Sequence, residues 1–237
     1  MVKVLRDWRE IGEANLAMSR ARLPGHVACE KTWDLYRLYE LVRTAPRESR
    51  VVDLGCAGLF ALKMLHAVGF SRLVGIDLSI SWHDRASQLW RMWKGRTLRP
   101  PFRLRRADIT RTGYPDGAFD IAVSISTVEH GVDLALFVRE AARILRPGGL
   151  LFVTTDYWSE GVNADSDFRP YGLPWHVFDQ KQIADMIALA DQYGLKLLEP
   201  RAREMECGDR CVAWGGCEYT FICLVFRKLG SAAEGNA

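Results

Sequence analysis

Along residues 47–228, hydrophobic and polar positions form short apolar runs separated by longer amphipathic segments. The apolar runs predict strands, and the clearest are "RVVDL", "RLVGID", "FDIAVSIS" and "LLFVTT". Apolar residues at helical spacing predict the intervening helices, namely "FALKMLHAV", "WHDRASQLWRMW", "LALFVREAARIL" and "DQKQIADMIALADQYG". Strands that alternate with helices of this length predict a parallel sheet covered by helices on both faces. At the end of the chain, two further strands follow each other without a helix between them, "LKLLEP" and "EYTFICLVFRK".

The flanking segments differ from this pattern. Residues 1–46 contain helical material, such as "KTWDLYRLYELVR" before Pro46, and we expect them to form a helical cap on the substrate side. Residues 47–228 are expected to be the main domain, and residues 229–237 a disordered tail. The long irregular segment 156–174 directly follows a strand, which places it at the carboxyl edge of the sheet. Loops of this length in compact domains are more often functional than accidental.

Composition narrows the functional classes. The chain has 237 residues, 49% of them hydrophobic, and a formal net charge of +3, so overall charge favours neither nucleic acid nor membrane as a partner. The first residues lack the apolar core of a signal peptide, and we expect a cytoplasmic protein without membrane insertion. The six cysteines are expected to be reduced thiols. Cys207 and Cys211 have a spacing close to that of a zinc knuckle, but no second pair completes the site.

The stretch "VVDLGCAGLF" predicts a strand, a glycine turn and the start of a helix. Such a turn presents backbone N–H groups and the positive end of a helix dipole to a ligand. Asp77 ends the next predicted strand, 24 residues after Asp53, where an acidic side chain can bind ribose hydroxyls. These two features alone are compatible with a nicotinamide cofactor and with other adenosine cofactors.

The complete set of motifs resembles the class I S-adenosylmethionine-dependent methyltransferases. The matching pieces occur in order: "VVDLGCAG", "LVGIDLS", "RADIT", "YPDGAFDIAVSISTVEH" and "AARILRPGGLLFVTT". The resemblance implies an α/β fold, a Rossmann-like, doubly wound, seven-stranded and mostly parallel sheet with an antiparallel last strand. It also implies S-adenosylmethionine as cofactor.

The resemblance assigns roles to residues at the ends of the predicted strands. Asp53 and Gly55 would hold the methionine end of the cofactor, Asp77 the ribose, and Asp108 and Ile109 the adenine, while Ser124 would lie beneath the transferred methyl group. Leu78 is also expected to contact the cofactor. For Asp77 a helix cap, and for Asp108 a turn, are the alternative roles.

The glycine loop departs from the family pattern Asp-x-Gly-x-Gly-x-Gly, because Ala57 and Leu59 occupy the last two glycine positions and Gly58 lies between them. We expect a loop one residue shorter, in which Gly58 replaces the last glycine. The alternative is that cofactor binding has been lost.

Glu129 and His130 follow the fourth strand of the predicted domain, where an acid or base for methyl transfer would stand. A histidine can accept a proton near neutral pH, and a neighbouring carboxylate would raise its basicity. The alternative is that this pair only fixes the loop. Relatives that bind a metal ion here resemble "ExxEH", but Ser126 replaces the first glutamate, so no metal site is expected.

Aromatic and basic residues complete the candidate sites. Trp158, Trp175, His176 and His26 are expected to line the acceptor pocket. The segment 85–111 contains nine Arg or Lys residues and one acid, for a local net charge of +8. Its apolar residues at helical spacing, Ala86, Leu89, Trp90 and Trp93, are expected to pack onto the sheet and to leave the arginines free for an anionic substrate, carrier or membrane.

These observations favour a methyltransferase that uses S-adenosylmethionine and methylates a hydroxyl group of a small molecule or sugar. The expected partner is a small-molecule substrate, anionic or sugar-linked, rather than nucleic acid. Two alternatives remain open: an RNA or nucleotide methyltransferase, and a non-catalytic cofactor-binding scaffold. The sequence leaves the oligomeric state open.

Overall fold

The computed structural model describes residues 1–94, 96, 100–163, 167–198 and 205–230. The strands are β1 (Val2–Val4), β2 (Arg50–Leu54), β3 (Arg72–Asp77), β4 (Arg103–Arg106), β5 (Phe119–Ile125), β6 (Leu145–Tyr157), β7 (Leu195–Leu197), β8 (Val212–Trp214) and β9 (Cys217–Lys228). The helices are α1 (Trp8–Arg20), α2 (Thr32–Val42), α3 (Phe60–Val68), α4 (Trp82–Lys94), α5 (Leu134–Ile144) and α6 (Gln180–Gln192).

All nine of these strands join one sheet. The order β4-β3-β2-β5-β6 is parallel throughout, and β9 lies antiparallel beside β6. Two short strands pair with the other edge of β9: β7 pairs with Phe226–Lys228, and β1 pairs with Ile222–Leu224. Strand β8 forms a hairpin with the start of β9. The predicted Rossmann-like α/β fold with an antiparallel last strand is confirmed.

Two strands, β1 and β8, were not predicted, so the sheet has nine strands instead of seven. Each has three residues, which is too short for an alternating pattern to be recognised. In β1, Val2 and Val4 are buried while Lys3 is exposed, and the strand extends the sheet beside β9. The N-terminal segment therefore contributes a strand as well as the predicted helices α1 and α2.

The sheet is buried on both faces because helices cover each of them. Residues of α1, α2 and α3 form one core with inward side chains such as Val51 and Val123. Residues of α5 and α6 form the second core with side chains such as Val52 and Ala122. Alternate residues of one strand thus enter opposite cores, as in a doubly wound sheet.

Helix α4 contradicts the prediction that its apolar face packs onto the sheet. Leu89, Trp90 and Trp93 are 63%, 54% and 78% exposed, and Ala86 is also exposed. The neighbouring edge strand β4 has four residues, three of them exposed arginines, so it offers little apolar surface for a helix to cover. The helix is instead held by the Gln88 side-chain amide, which donates to the Phe102 carbonyl at 2.5 Å.

Other predicted features fall partly outside the described residues. These are residues 231–237 of the tail, residues 164–166 of the long loop and the last two residues of "LKLLEP". Within the described part of the chain, no helix combines the length and apolar character needed to cross a membrane.

Candidate active site

The glycine turn after β2 has the left-handed backbone that a ligand-binding loop needs. Gly55 and Gly58 have φ values of 90° and 72°. Leu59 also has a positive φ of 61°, which is uncommon for a residue other than glycine. Its side chain is buried. Gly58 and Leu59 together therefore make the turn into α3. The assignment of Gly58 as the glycine that contacts the cofactor stays a prediction.

Close packing fixes both glycines of this turn. A Cβ atom on Gly55 would lie 2.3 Å from the side chain of Thr127, which follows β5. A Cβ atom on Gly58 would lie 2.4 Å from the ring of Phe60. The His26 ring contacts the same Phe60 ring, with centroids 3.9 Å apart. The N-terminal segment thus reaches the glycine turn, and His26, predicted for the acceptor pocket, lies beside the predicted cofactor loop.

Asp53 and Asp77 place two carboxyl groups at the ends of adjacent strands. Asp53 is 2% exposed, and burial together with the Asp77 charge raises its pKa to about 7. Asp77 is less buried; burial raises its pKa, although the backbone N–H groups of Ser79 and Ala57 favour the charged form. Its Oδ1 accepts from the Ser79 N–H at 3.0 Å. A ligand that donates hydrogen bonds, such as a ribose or an ammonium group, fits this pair.

The other predicted cofactor residues lie at neighbouring strand ends. Asp108 is exposed, and its Oδ1 accepts from the backbone and hydroxyl of Thr110, both at 2.8 Å, so the predicted turn role is present. Ile109 is 6% exposed within the second core, and Leu78 is 54% exposed. The Ser124 hydroxyl is buried and donates to the Leu54 carbonyl at 3.0 Å, so this group joins β5 to β2. A cofactor contact from Ser124 would have to use another of its atoms.

Four ionisable side chains, which we call the acceptor cluster, meet at the carboxyl ends of β5 and β6: Lys31, Asp34, Glu129 and Asp156. Lys31 Nζ donates to Ser126 Oγ at 2.8 Å and lies 4.0 Å from Asp156 Oδ1. Asp34 and Glu129 are fully buried and Asp156 is 1% exposed. Three buried carboxyl groups thus lie near one ammonium group, whose side chain is 27% exposed.

Several oxygens of the acceptor cluster lack partners. Among the described residues, both oxygens of Asp34, Glu129 Oε1, Asp156 Oδ1 and the Thr154 hydroxyl make no hydrogen bond of normal geometry, although Thr154 and Ser126 lie near Asp34 and Lys31 lies near Asp156 Oδ1. The opposite oxygens are used, because Thr155 donates to Glu129 Oε2 at 2.9 Å and the Trp175 indole donates to Asp156 Oδ2 at 2.8 Å. Buried polar groups are normally paired, so these free acceptors mark a candidate binding or catalytic site.

Burial dominates the pKa values of the acceptor cluster. It raises the pKa of Asp34 to about 7, although Lys31 opposes the shift. Burial, reinforced by Asp156, also raises the pKa of Glu129 well above its usual range. The pKa of Asp156 is raised by burial as well. For Lys31, burial lowers the pKa, but the surrounding carboxylates outweigh it and the pKa is raised. The lysine is therefore protonated at neutral pH, and burial favours the neutral form of each carboxyl group.

The prediction that a neighbouring carboxylate raises the basicity of His130 is wrong. Burial lowers the His130 pKa to about 4, and the Lys31 and His176 charges act in the same direction. The Glu129 carboxyl instead bonds to Thr155. Within the part of the chain that is described, Nδ1 of His130 has no hydrogen-bond partner. His130 is thus neutral at pH 7 and a weak base.

The predicted pocket aromatics surround the acceptor cluster in different ways. Trp175 is 6% exposed and anchors Asp156, while its ring packs edge-on against Phe168 and Trp214. The backbone N–H of His176 donates to the Glu129 carbonyl at 3.2 Å. The Arg210 guanidinium lies over the Trp158 ring, with its Cζ atom 4.2 Å from the centroid of that ring. Trp175 and His176 therefore support the acceptor cluster directly, and their contact with substrate stays a prediction.

Two surface depressions lie away from the acceptor cluster. The larger, about 640 Å³, includes Asp108 among its lining residues, and the smaller, about 290 Å³, includes His176. All six cysteines are free. Across the described ranges, no set of three His, Cys, Asp or Glu side chains is arranged to hold a metal ion.

Sequence reasoning missed Lys31 and Asp34. A signal for Asp34 was present, because Asp34, Leu38 and Val42 follow one another at intervals of four along α2 and all three are buried. A carboxylate at the first position of an otherwise apolar face is unusual and indicates a buried role. Lys31 lies just before the helix and carried no comparable signal.

The strand order and the site at the carboxyl edge are those of a class I methyltransferase fold. Residues 52–153 match a family described as "Methyltransferase domain". A solved structure of a S-adenosylmethionine-dependent methyltransferase from Methanosarcina mazei has the same fold, with a TM-score of 0.60 at 16% identity, covering 81% of this chain and 98% of that one.

Curated relatives agree with this class. A probable S-adenosylmethionine-dependent methyltransferase of Mycolicibacterium smegmatis is 30% identical over 139 residues, which are 56% of this chain and 48% of the relative. The malonyl-[acyl-carrier protein] O-methyltransferase of Legionella pneumophila is 28% identical over 160 residues, 65% of this chain and 52% of the relative. The chain thus spans about half the length of these relatives. The match of residues 52–153 to a methyltransferase domain and the fold of the chain agree with the resemblance to class I S-adenosylmethionine-dependent methyltransferases.

Proposed function

We propose that the protein transfers a methyl group from S-adenosylmethionine to a hydroxyl group of a small molecule or sugar. The observation that carries the proposal is the acceptor cluster, with its buried and unpartnered carboxyl oxygens beside the end of β5. One relative is named as an O-methyltransferase, which supports oxygen as the acceptor atom.

The cofactor residues present fit S-adenosylmethionine. Its sulfonium supplies an electrophilic methyl group. Gly55 and Gly58 leave the backbone of the turn without a Cβ, and Asp77 offers a carboxylate at the ribose position. The buried Asp53 carboxyl would accept hydrogen bonds from the amino acid end of the cofactor. An adenosine cofactor without phosphate suits this pair of acids, since phosphate would be repelled.

The acceptor hydroxyl must lose a proton as its oxygen forms a bond to carbon. Glu129 is the proposed proton acceptor, because its Oε1 is unpaired among the described groups and the Lys31 ammonium favours its ionised form, although burial raises its pKa. Lys31 would stabilise the negative charge that develops on the oxygen, since it stays protonated. Thr155 and Trp175 hold Glu129 and Asp156 in place.

Cofactor binding is tested by titration calorimetry with S-adenosylhomocysteine. We expect Asp77→Ala to lower the affinity at least about tenfold, because a charged hydrogen bond contributes about 1.5–3 kcal/mol. Asp185→Ala is the matched control, since Asp185 is exposed on α6 and pairs only with Lys181 within the described structure. The absence of any binding by the unaltered protein would favour the non-catalytic scaffold.

The proton acceptor is tested with radiolabelled S-adenosylmethionine and a panel of methyl glycosides and catechol. We expect Glu129→Gln to reduce turnover by about 10²–10⁴ with cofactor affinity retained, the usual range for a lost general base. His130→Asn is the matched neighbour and should have a much smaller effect. Transfer to amines and not to hydroxyl groups would contradict the proposed acceptor, and so would a larger loss from His130→Asn.

A further inference from the structure

We propose that the outward face of α4 docks the protein onto an anionic lipid surface. The face, which we call the α4 stripe, consists of Trp82, Ala86, Leu89, Trp90 and Trp93. Trp82 is 70% exposed, and the exposed fractions of Leu89, Trp90 and Trp93 are all above one half. Positions 82, 86, 89 and 93 follow the i, i+4, i+7, i+11 spacing of one helix face, with Trp90 beside it. Exposed tryptophans concentrated on one face require an explanation, unlike scattered apolar residues.

The helix is turned with its polar side toward the protein. Its less exposed positions are Asp84, Ser87, Gln88 and Met92, and the Gln88 side chain makes the bond to Phe102 described above. Ser81 and Asp84 cap the start of the helix, because the Asp84 N–H donates to Ser81 Oγ at 3.1 Å and the Ser81 N–H donates to Asp84 Oδ2 at 3.3 Å. The apolar stripe therefore contributes nothing to the core and is available to a partner.

Positive charge borders the α4 stripe. Arg85 flanks one side, and Lys94 lies on the other with its ammonium 5.0 Å from the Trp90 ring centroid. Arg106 donates to the carbonyl of Leu78, just before the helix, at 2.8 Å. Seven basic residues of the 85–111 segment whose side chains the structure describes are exposed: Arg85, Lys94, Arg96, Arg103, Arg105, Arg106 and Arg111. Tryptophan and leucine on one face with basic residues around them are typical of helices that lie in a membrane interface.

Two other occupants fit this face less well. Two copies of the chain meeting here would bring positively charged borders together, which is unfavourable. Single-stranded nucleic acid binds basic grooves in which bases stack on aromatic rings. The stripe also contains Leu89, and Leu78 precedes it, 54% exposed; aliphatic side chains do not stack on bases but do enter lipid. The inference goes beyond methyl transfer and does not depend on it.

The experiment is co-sedimentation of the full chain with phosphatidylcholine vesicles, with and without phosphatidylglycerol. We expect binding to vesicles that contain phosphatidylglycerol, weakening steeply as salt is added. Trp90→Ser combined with Trp93→Ser should lower the partition coefficient at least about tenfold, because apolar surface enters the interface. Arg85→Gln and Arg103→Gln should each lower it about fivefold.

Trp8→Ser is the matched control, because Trp8 is 58% exposed on α1, away from the stripe. It should leave vesicle binding unchanged, and all variants should keep the melting temperature and S-adenosylhomocysteine affinity of the unaltered protein. Equal binding to both vesicle types, or no effect of the tryptophan variants, would overturn the proposal. Loss of poly(U) binding in these variants without vesicle binding would identify a nucleic acid face. A dimer that the same variants dissociate in sedimentation velocity would identify contact between copies.

Discussion

The cofactor end of the sheet is formed by residues that are close together in the sequence, whereas the acceptor end is formed by residues that are far apart in it. At the cofactor end, Asp53, Gly55 and Gly58 lie within six residues and form one strand and turn. At the acceptor end, Lys31 bonds to Ser126, 95 residues further along the chain. A local turn can be recognised from its own residues, whereas the acceptor cluster exists only after the N-terminal segment has folded onto β5 and β6.

Removing the single cation of the acceptor cluster should have the largest effect. Lys31→Met leaves three buried carboxyl groups without a counter-charge, and breaking a buried ion pair from one side typically costs about 3–5 kcal/mol. We expect a loss of this size in the free energy of unfolding, measured by urea denaturation at pH 8.

The matched control for this change is Lys181→Met. Lys181 is exposed and pairs with Asp185 one helical turn away, so its removal should not change stability measurably. If both variants lost equal stability, or neither did, the charges of the acceptor cluster would not be coupled, and the contrast between the two ends of the sheet would fail.

The same contrast explains which features the sequence could predict. Alternating apolar runs and helices predicted β2 to β7, β9 and the parallel sheet, because each element carries its own periodicity. The face of α4 was predicted to be apolar, and it is, but periodicity does not specify what a face contacts. Only the structure shows that β4, with three exposed arginines, gives that face nothing to pack against.

The basicity of His130 was mispredicted for a related reason. Adjacent residues in sequence, Glu129 and His130, do not place their side chains together: Glu129 turns into the acceptor cluster and His130 packs among Tyr171 and Trp214. Burial is the main cause of its lowered pKa, and the two charged groups that add to it, Lys31 and His176, come from distant segments.

At the cofactor end, Gly55→Ala tests whether the turn tolerates a side chain. The new Cβ would lie 2.3 Å from Thr127, and the φ of 90° is unfavourable for alanine, so we expect a loss of roughly 2–3 kcal/mol in the free energy of unfolding. S-adenosylhomocysteine affinity should fall as well.

Gly12→Ala in α1 is the control, because among the described atoms nothing lies within 4 Å of its Cβ position. This change should stabilise the protein by about 0.5–1 kcal/mol. Equal outcomes at the two glycines would show that the turn is not fixed as described.

The smallest effect concerns the pH dependence of stability. The Asp34 carboxyl has a pKa of about 7 in the folded protein against 3.8 for an exposed aspartate, so the folded state holds its proton more tightly. Its contribution to stability is complete below about pH 4 and is lost as the pH rises through about 7. Between about pH 5 and pH 7, Asp34 alone should lower the free energy of unfolding by about 2 kcal/mol.

Asp34→Asn keeps the shape of the neutral carboxyl group and cannot ionise. We therefore expect the free energy of unfolding of this variant, measured with urea, to fall by about 2 kcal/mol less than that of the unaltered protein over the same pH interval. The stability of the variant relative to the unaltered protein should be greatest at the upper end of the interval. Asp185→Asn, at an exposed position on α6, should leave the pH dependence of the free energy of unfolding as it is in the unaltered protein. An unchanged slope in Asp34→Asn would mean that Lys31 keeps Asp34 ionised throughout this range. In that case Asp34 would belong to a fixed ion pair, and proton exchange in the acceptor cluster would be left to Glu129 and Asp156.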